Sequence, residues 1–142
     1  MAKATVLCVD DDRASLECRS FLLNALGYEV LTAGNGPEAL SIFGKGAVDL
    51  VIVDYAMPEM NGGVLAARLK EIAPQIPVLM ISGQDHVPSN ALQCVDQFMA
   101  KAEGPATFLA GVQDLLAGAS PLAHVLRAGK THSLPTYSVK EP

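Results

Sequence analysis

Five side chains of the kinds a phosphoryl-transfer site uses stand at the ends of four short apolar runs. They are Asp10 and Asp11 in TVLCVDDD, Asp54 in VDLVIVDYAMPEMNGG, Ser82 in IPVLMISGQ and Lys101 in DQFMAK. A carboxylate can accept a phosphoryl group as a nucleophile, and further carboxylates beside it can hold a cation that screens the charge of the transfer. A hydroxyl and an ammonium supply donors for the phosphoryl oxygens. Each residue also has a plainer use: Asp54 can cap the turn that follows it, and Lys101 can be a solvated surface charge. Their common placement, at the carboxyl ends of apolar runs, favours a shared site.

Three carboxylates brought together repel one another, so one must hold a proton unless a cation sits among them. A small hard cation answers that need, and Mg²⁺ is typically held by one or two carboxylates together with phosphate oxygens and water. Asp12 belongs instead to the start of the following helix, as its cap. Met57-Pro58 and Asn61-Gly62-Gly63 are turn residues that keep the chain after Asp54 out of helix until Gly62 and leave its carboxylate at the sheet edge.

The elements that must position these groups are legible in the same runs. Thr5 to Val9, Asp49 to Val53, Ile76 to Ile81 and Gln97 to Ala100 read as strands, and Tyr28 to Ala33 reads as another, second in chain order. Between them, Cys18, Phe21, Leu22 and Ala25 repeat as one helical face stopped by Gly27. Gly36-Pro37-Glu38 opens a second helix with Leu40 and Phe43 on its buried side. Leu65, Leu69 and Ile72 carry a third helix to Pro74. Phe108, Val112, Leu115 and Leu116 mark a last one between Gly104-Pro105 and Gly118. The fourth crossover, Gln84 to Val95, holds Pro88 and Ser89 and few apolar contacts, which predicts a short or irregular segment of two turns at most.

Strand and helix thus alternate five times, and right-handed crossovers place helices on both faces of one sheet. The expected fold is α/β, a doubly wound, flavodoxin-like (βα)5 with a five-stranded parallel sheet in the order 2-1-3-4-5. Its site lies at the switch point between the first and third strands.

Composition agrees with one globular domain. The chain has 142 residues, half of them hydrophobic and 18% charged, and no apolar run approaches the roughly 18 residues of a membrane span. Met1 to Ala117 holds seven Lys or Arg against fourteen Asp or Glu, a net of −7, which argues against direct nucleic-acid binding. Cys8, Cys18 and Cys94 lack ligand spacing and sit in apolar patterns, so they read as reduced core thiols. MAKATVLCVD runs straight into a strand without a leader pattern, so the expected location is cytoplasmic. His86, His124 and His132 have no ligand context and read as surface residues.

With these motifs in place, the chain resembles the receiver domains of two-component response regulators over Ala4 to Ala117. The resemblance implies that Asp54 accepts phosphate from a sensor histidine kinase or a phosphotransfer protein. It implies Mg²⁺ bound by Asp10, Asp11, Asp54 and the backbone carbonyl of Ala56, with Asp11 the more direct ligand of the first pair. Ser82 matches the hydroxyl that moves toward the phosphoryl group, Phe98 the aromatic that turns inward with it, and Lys101 the lysine of the pattern. Taken alone, Phe98 could also be an ordinary core aromatic. The added group carries roughly −1.5 to −2 charges. The expected result is a population shift in the surface formed by the fourth crossover, the fifth strand and the last helix, read by a downstream protein target.

The chain also departs from the pattern. Receivers usually carry proline after the lysine, commonly with a cis bond, whereas Ala102 follows Lys101 here. A cis bond there would cost about 2.5–4 kcal/mol, so a trans bond and a different loop are expected. The stretch from Ser82 to Lys101 is short for the family. Ala56 and Gln84 occupy positions that influence attack of water on the phosphoaspartate. Residues 118–142 are too few for a second globular domain and read as a flexible tail in which Leu122, Val125 and Leu126 could form one amphipathic turn.

Two other functions fit parts of the pattern. An aspartyl-phosphate-forming phosphohydrolase would use Asp10 as nucleophile, with Asp12 as its partner. An inert pseudo-receiver would only dock. The single Asp54 before Met57-Pro58 disfavours the first, and the complete set of side chains disfavours the second.

Overall fold

The structure, a computed structural model, describes residues 3–84 and 86–118, so the expectation for the tail beyond Gly118 lies outside the described residues. Five strands and four helices follow in the order β1 Thr5–Val9, α1 Arg13–Ala25, β2 Glu29–Ala33, α2 Gly36–Lys45, β3 Leu50–Asp54, α3 Gly62–Ile72, β4 Val78–Ser82, β5 Gln97–Ala100 and α4 Gly104–Ala117. The fourth crossover contains a 3₁₀ turn, Ser89–Leu92, and a second 3₁₀ turn, Lys101–Glu103, precedes α4. All strand pairs are parallel and the order is β2-β1-β3-β4-β5, as the alternation required.

Unbroken apolar runs form these strands because both sheet faces are covered. Alternate side chains point to opposite faces. Leu7, Val9, Val51, Val53 and Met80 meet Phe43, Leu65 and Leu69 of α2 and α3 on one side. Val6, Cys8, Leu50, Ile52, Leu79 and Ile81 meet Leu23, Phe108, Val112 and Leu115 of α1 and α4 on the other. Each of α1, α2 and α3 starts at a side-chain cap. Asp12 accepts from the Ser15 amide, Asn35 from that of Glu38 and Asn61 from that of Val64, each contact contributing about 1 kcal/mol.

The predicted phase of α1 is wrong. Phe21 is 73% exposed and Cys18 is exposed, while the residues that turn inward are Leu16, Arg19, Leu22 and Leu23. A charged side chain in the inner stripe and an aromatic on the outer face displaced the apolar pattern. The reading of three core thiols fails with it. Cys8 is buried, Cys94 is half-buried and Cys18 is not a core residue. Ile72, one of the three residues that carry α3 in the sequence, is 58% exposed at the end of the helix, and Gly62, Leu65, Ala66 and Leu69 are its buried residues.

The fourth crossover is short, as Pro88 and Ser89 predicted, and no described peptide bond is cis, in keeping with Ala102 after the lysine. Among the described residues no helix is long and apolar enough to cross a membrane.

Candidate functional site

Strand register brings the chemistry to one edge. Val9 pairs with Val53 on one side and with Ala33 on the other, so the next residues, Asp10 and the strand-ending Asp54, stand together. Asp54 is opposite Ile81 and Ser82 is opposite Ala100, which puts Ser82 and Lys101 on the same edge. Backbone bonds lock the edge. The Asp10 amide donates to the Ala33 carbonyl at 3.1 Å, and the Tyr55 amide donates to the Ile81 carbonyl at 2.9 Å.

Carboxylate oxygens of Asp10, Asp11 and Asp54 all lie within 4.8 Å of one another. Hard oxygen donors so spaced suit a small divalent cation whose remaining positions are filled by water. Asp10 and Asp54 are buried and Asp11 is exposed, so a cation would enter from the Asp11 side. Lys101 closes the other side, with Nζ 3.1 Å from Asp54 Oδ1 and 3.7 Å from Asp10 Oδ2. The Asp54 carboxyl is held above its ordinary pKa, first by burial and then by repulsion from Asp10, and the Lys101 contact offsets only part of this.

The loop after Asp54 is tightly folded. The Gly62 amide donates to the Tyr55 carbonyl at 2.8 Å. A Cβ at Gly62 would lie 2.5 Å from the Asp54 carbonyl oxygen, so only glycine lets α3 begin this close. Between them Glu59 adopts a left-handed φ of 70°, uncommon without glycine. Ala56, whose carbonyl was the expected further ligand, sits exposed in this loop.

Ser82 is buried, and its Oγ accepts from the Gln84 amide at 3.0 Å rather than donating to Asp54. Phe98 is half-buried, opposite Met80, and packs on the core cluster shared by α2 and α3. Asp12 is the cap of α1 that its position suggested, and its pKa is lowered chiefly by the Ser15 hydroxyl, which donates at 2.6 Å. His86 is exposed, as expected.

One residue of the site was not foreseen. Arg19 on α1 is only 8% exposed, and its Nη1 donates to Asp10 Oδ2 at 2.9 Å. The available signal was its spacing from Leu16 and Leu23, which makes it part of the inner stripe of the helix.

Residues 6–112 match the model of the response regulator receiver domain. This chain belongs to that family. It is similar to the autoinducer 1 sensor kinase/phosphatase LuxN of Vibrio campbellii, 41% identical over 80 residues, 56% of this chain and 9% of LuxN. It also resembles the transcriptional regulatory protein GlrR of Escherichia coli, 32% identical over 121 residues, 83% of this chain and 27% of GlrR. The receiver therefore spans less than a third of either of these relatives.

Among solved structures it resembles the chemotaxis protein CheY4 of Vibrio cholerae, with a TM-score of 0.75 at 30% identity, covering 80% of this chain and 99% of that one. The response regulator TrrA of Thermotoga maritima, solved in complex with Mg(2+)-BeF, gives a TM-score of 0.75 at 29% identity, covering 79% and 98%.

Proposed function

We propose that this receiver, spanning residues 4–117, accepts a phosphoryl group on Asp54 from a histidine kinase or a phosphotransfer protein and signals through a protein-binding surface. The observation that carries the reading is the constellation itself. Asp54 ends a central strand, paired with Lys101 at 3.1 Å and sharing a carboxylate pocket with Asp10 and Asp11.

In the transfer, a carboxylate oxygen of Asp54 attacks phosphorus, the bond from phosphorus to the donor nitrogen breaks, and the imidazole leaves with that electron pair. Asp10, Asp11, Asp54 and the Ala56 carbonyl would hold Mg²⁺, which when bound would supply neutralisation of the phosphoryl oxygens. Lys101 orients Asp54 and afterwards pairs with a phosphoryl oxygen. Ser82 gives up its contact with the Gln84 amide and donates to another, and Phe98 follows into the space it leaves. The protein catalyses only its own phosphorylation and dephosphorylation. We place this chemistry in the cytoplasm, where unpaired thiols such as Cys8, Cys18 and Cys94 persist.

The acidic charge supports a protein target rather than direct contact with nucleic acid. The DNA-binding transcriptional regulator NtrC of Azospirillum brasilense is a longer relative, of which this chain covers 18%.

Incubation of the protein and of Asp54→Asn with acetyl phosphate, with and without Mg²⁺, followed by intact mass, tests the proposal. The expected result is one phosphoryl adduct that requires both Mg²⁺ and Asp54. An adduct that survives the substitution would move the nucleophile to Asp10 or Asp12, and no adduct in either protein would leave an inert docking module.

A further inference from the structure

Arg19 places a second positive charge against the carboxylate pocket, from beneath the sheet edge and out of reach of bulk solvent. Its side chain is 10% exposed, and that of Asp10 is 0% exposed. A guanidinium so buried has to be paired, and here Nη1 donates to Asp10 Oδ2 at 2.9 Å. The other oxygen of Asp10, Oδ1, accepts from the Asp12 amide at 2.9 Å. Both oxygens of Asp10 therefore have protein donors before any cation arrives. Three carboxylates with Lys101 alone would leave the pocket at −2, and Arg19 brings it to −1.

We propose that Arg19 is a built-in counter-ion that holds Asp10 in place without metal and lowers the affinity of the acidic pocket for Mg²⁺. The inference rests on the reading of that pocket as the Mg²⁺ site of the receiver. Arg19 is a positioning residue, since it acts through Asp10.

The physical consequences are specific. Without Arg19, the buried Asp10 carboxylate keeps only the Asp12 amide and Lys101 at 3.7 Å, so it gains more from a bound cation. At the mouth of the pocket, where Asp11 is exposed to solvent, one charge several ångströms from a divalent ion is worth about tenfold in affinity. Arg19→Leu should thus bind Mg²⁺ about tenfold more tightly, and Mg²⁺ should raise its melting temperature more than that of the parent protein. The helix face can take the substitution, because Arg19 lines a cavity of about 240 Å³ with Leu22, Ile81, Met99 and Phe108. Arg19→Lys keeps a charge at the same place and should stay within a few-fold of the parent. Arg19→Gln keeps a donor and removes the charge, and it serves if Arg19→Leu does not fold.

The experiment is a titration of each protein with Mg²⁺ alone, followed by calorimetry and by the amide NMR signals of Asp11 and Asp54, with melting curves in EDTA and in Mg²⁺. Tighter binding in Arg19→Leu and Arg19→Gln, reversed in Arg19→Lys, supports the assignment. A variant that folds only with Mg²⁺ supports it as well. Equal or weaker binding in the charge-removing variants overturns it and leaves Arg19 a packing residue. If no protein shows saturable Mg²⁺ binding, the metal reading of the pocket fails, and this inference fails with it.

Discussion

At the scale of single residues, the pocket stores a pH dependence. Burial and Asp10 push the Asp54 pKa upward, so the fold holds that proton more tightly than the unfolded chain does. The associated stability is fully present below the ordinary carboxylate pKa and is lost as pH rises through the raised value. Melting in EDTA should therefore show a decline over that window that is missing from Asp54→Asn, and at neutral pH the variant should melt a few degrees higher. Asp12 contributes in the opposite sense and at lower pH, since Ser15 lowers its pKa, so the difference between the two profiles is the informative quantity. A profile for Asp54→Asn that parallels the parent would contradict the account.

The cysteines make a second test. Burial pushes the Cys8 thiol up to about 12, whereas Cys18 is exposed. Iodoacetamide at neutral pH should label Cys18 in the native protein and reach Cys8 only after unfolding, as peptide mapping would show. The candidate residues Asp10, Asp11, Asp54, Ser82 and Lys101 were legible in the sequence because each stands at the end of an apolar run, a signal that does not depend on how the helices pack. Arg19 was not legible, because an arginine inside an amphipathic stripe looks like a residue of the solvent face.

Among the elements, the strands were the most readable, since strands buried on both faces need unbroken apolar runs, and β3 and β4 are buried throughout. The phase of α1 was misread because an exposed Phe21 and an inner Arg19 exchanged the apolar and charged cues by which a helix face is recognised. The start of α3 was readable from Asn61 and Gly62, but the reason for Gly62 required the structure. Its missing Cβ is what allows the Asp54 carbonyl to approach the first turn. Gly62→Ala should cost about 1–3 kcal/mol by overpacking against backbone that has no rotamer to change, and it should slow phosphoryl adduct formation by displacing Asp54. Gly44→Ala, at a helical position with nothing within 4 Å of the added carbon, should be neutral or stabilising by up to about 1 kcal/mol. Urea melts of the two variants, with the acetyl phosphate reaction run beside them, separate a loop effect from a general effect of alanine.

Over the whole molecule, the sheet is unevenly held, and this decides where a charge added at Asp54 can be felt. In β1 the residues from Val6 to Val9 are buried, β3 is buried throughout and both have strands on each side, so that centre cannot move without opening the core. Strand β5 is an edge strand of four residues with one fully buried side chain, and the crossover leading to it holds a 3₁₀ turn with no buried residue. Of the groups proposed to follow the phosphoryl oxygens, Phe98 and Lys101 belong to this weaker side, and Ser82 ends the buried strand β4 directly beside it. A phosphoryl mimic such as beryllofluoride with Mg²⁺ should thus shift amide NMR signals from Ser89 to Glu103 as well as those at Asp10, Asp11 and Asp54, while the centre of β1 stays still. Ser82→Ala should still bind the mimic but lose most of the change beyond Gly83, because no hydroxyl then leaves the Gln84 amide to open space for Phe98. Shifts confined to the carboxylate pocket in the parent protein would show that the edge does not carry the signal, and the output surface would then have to be sought away from the fourth crossover, β5 and α4.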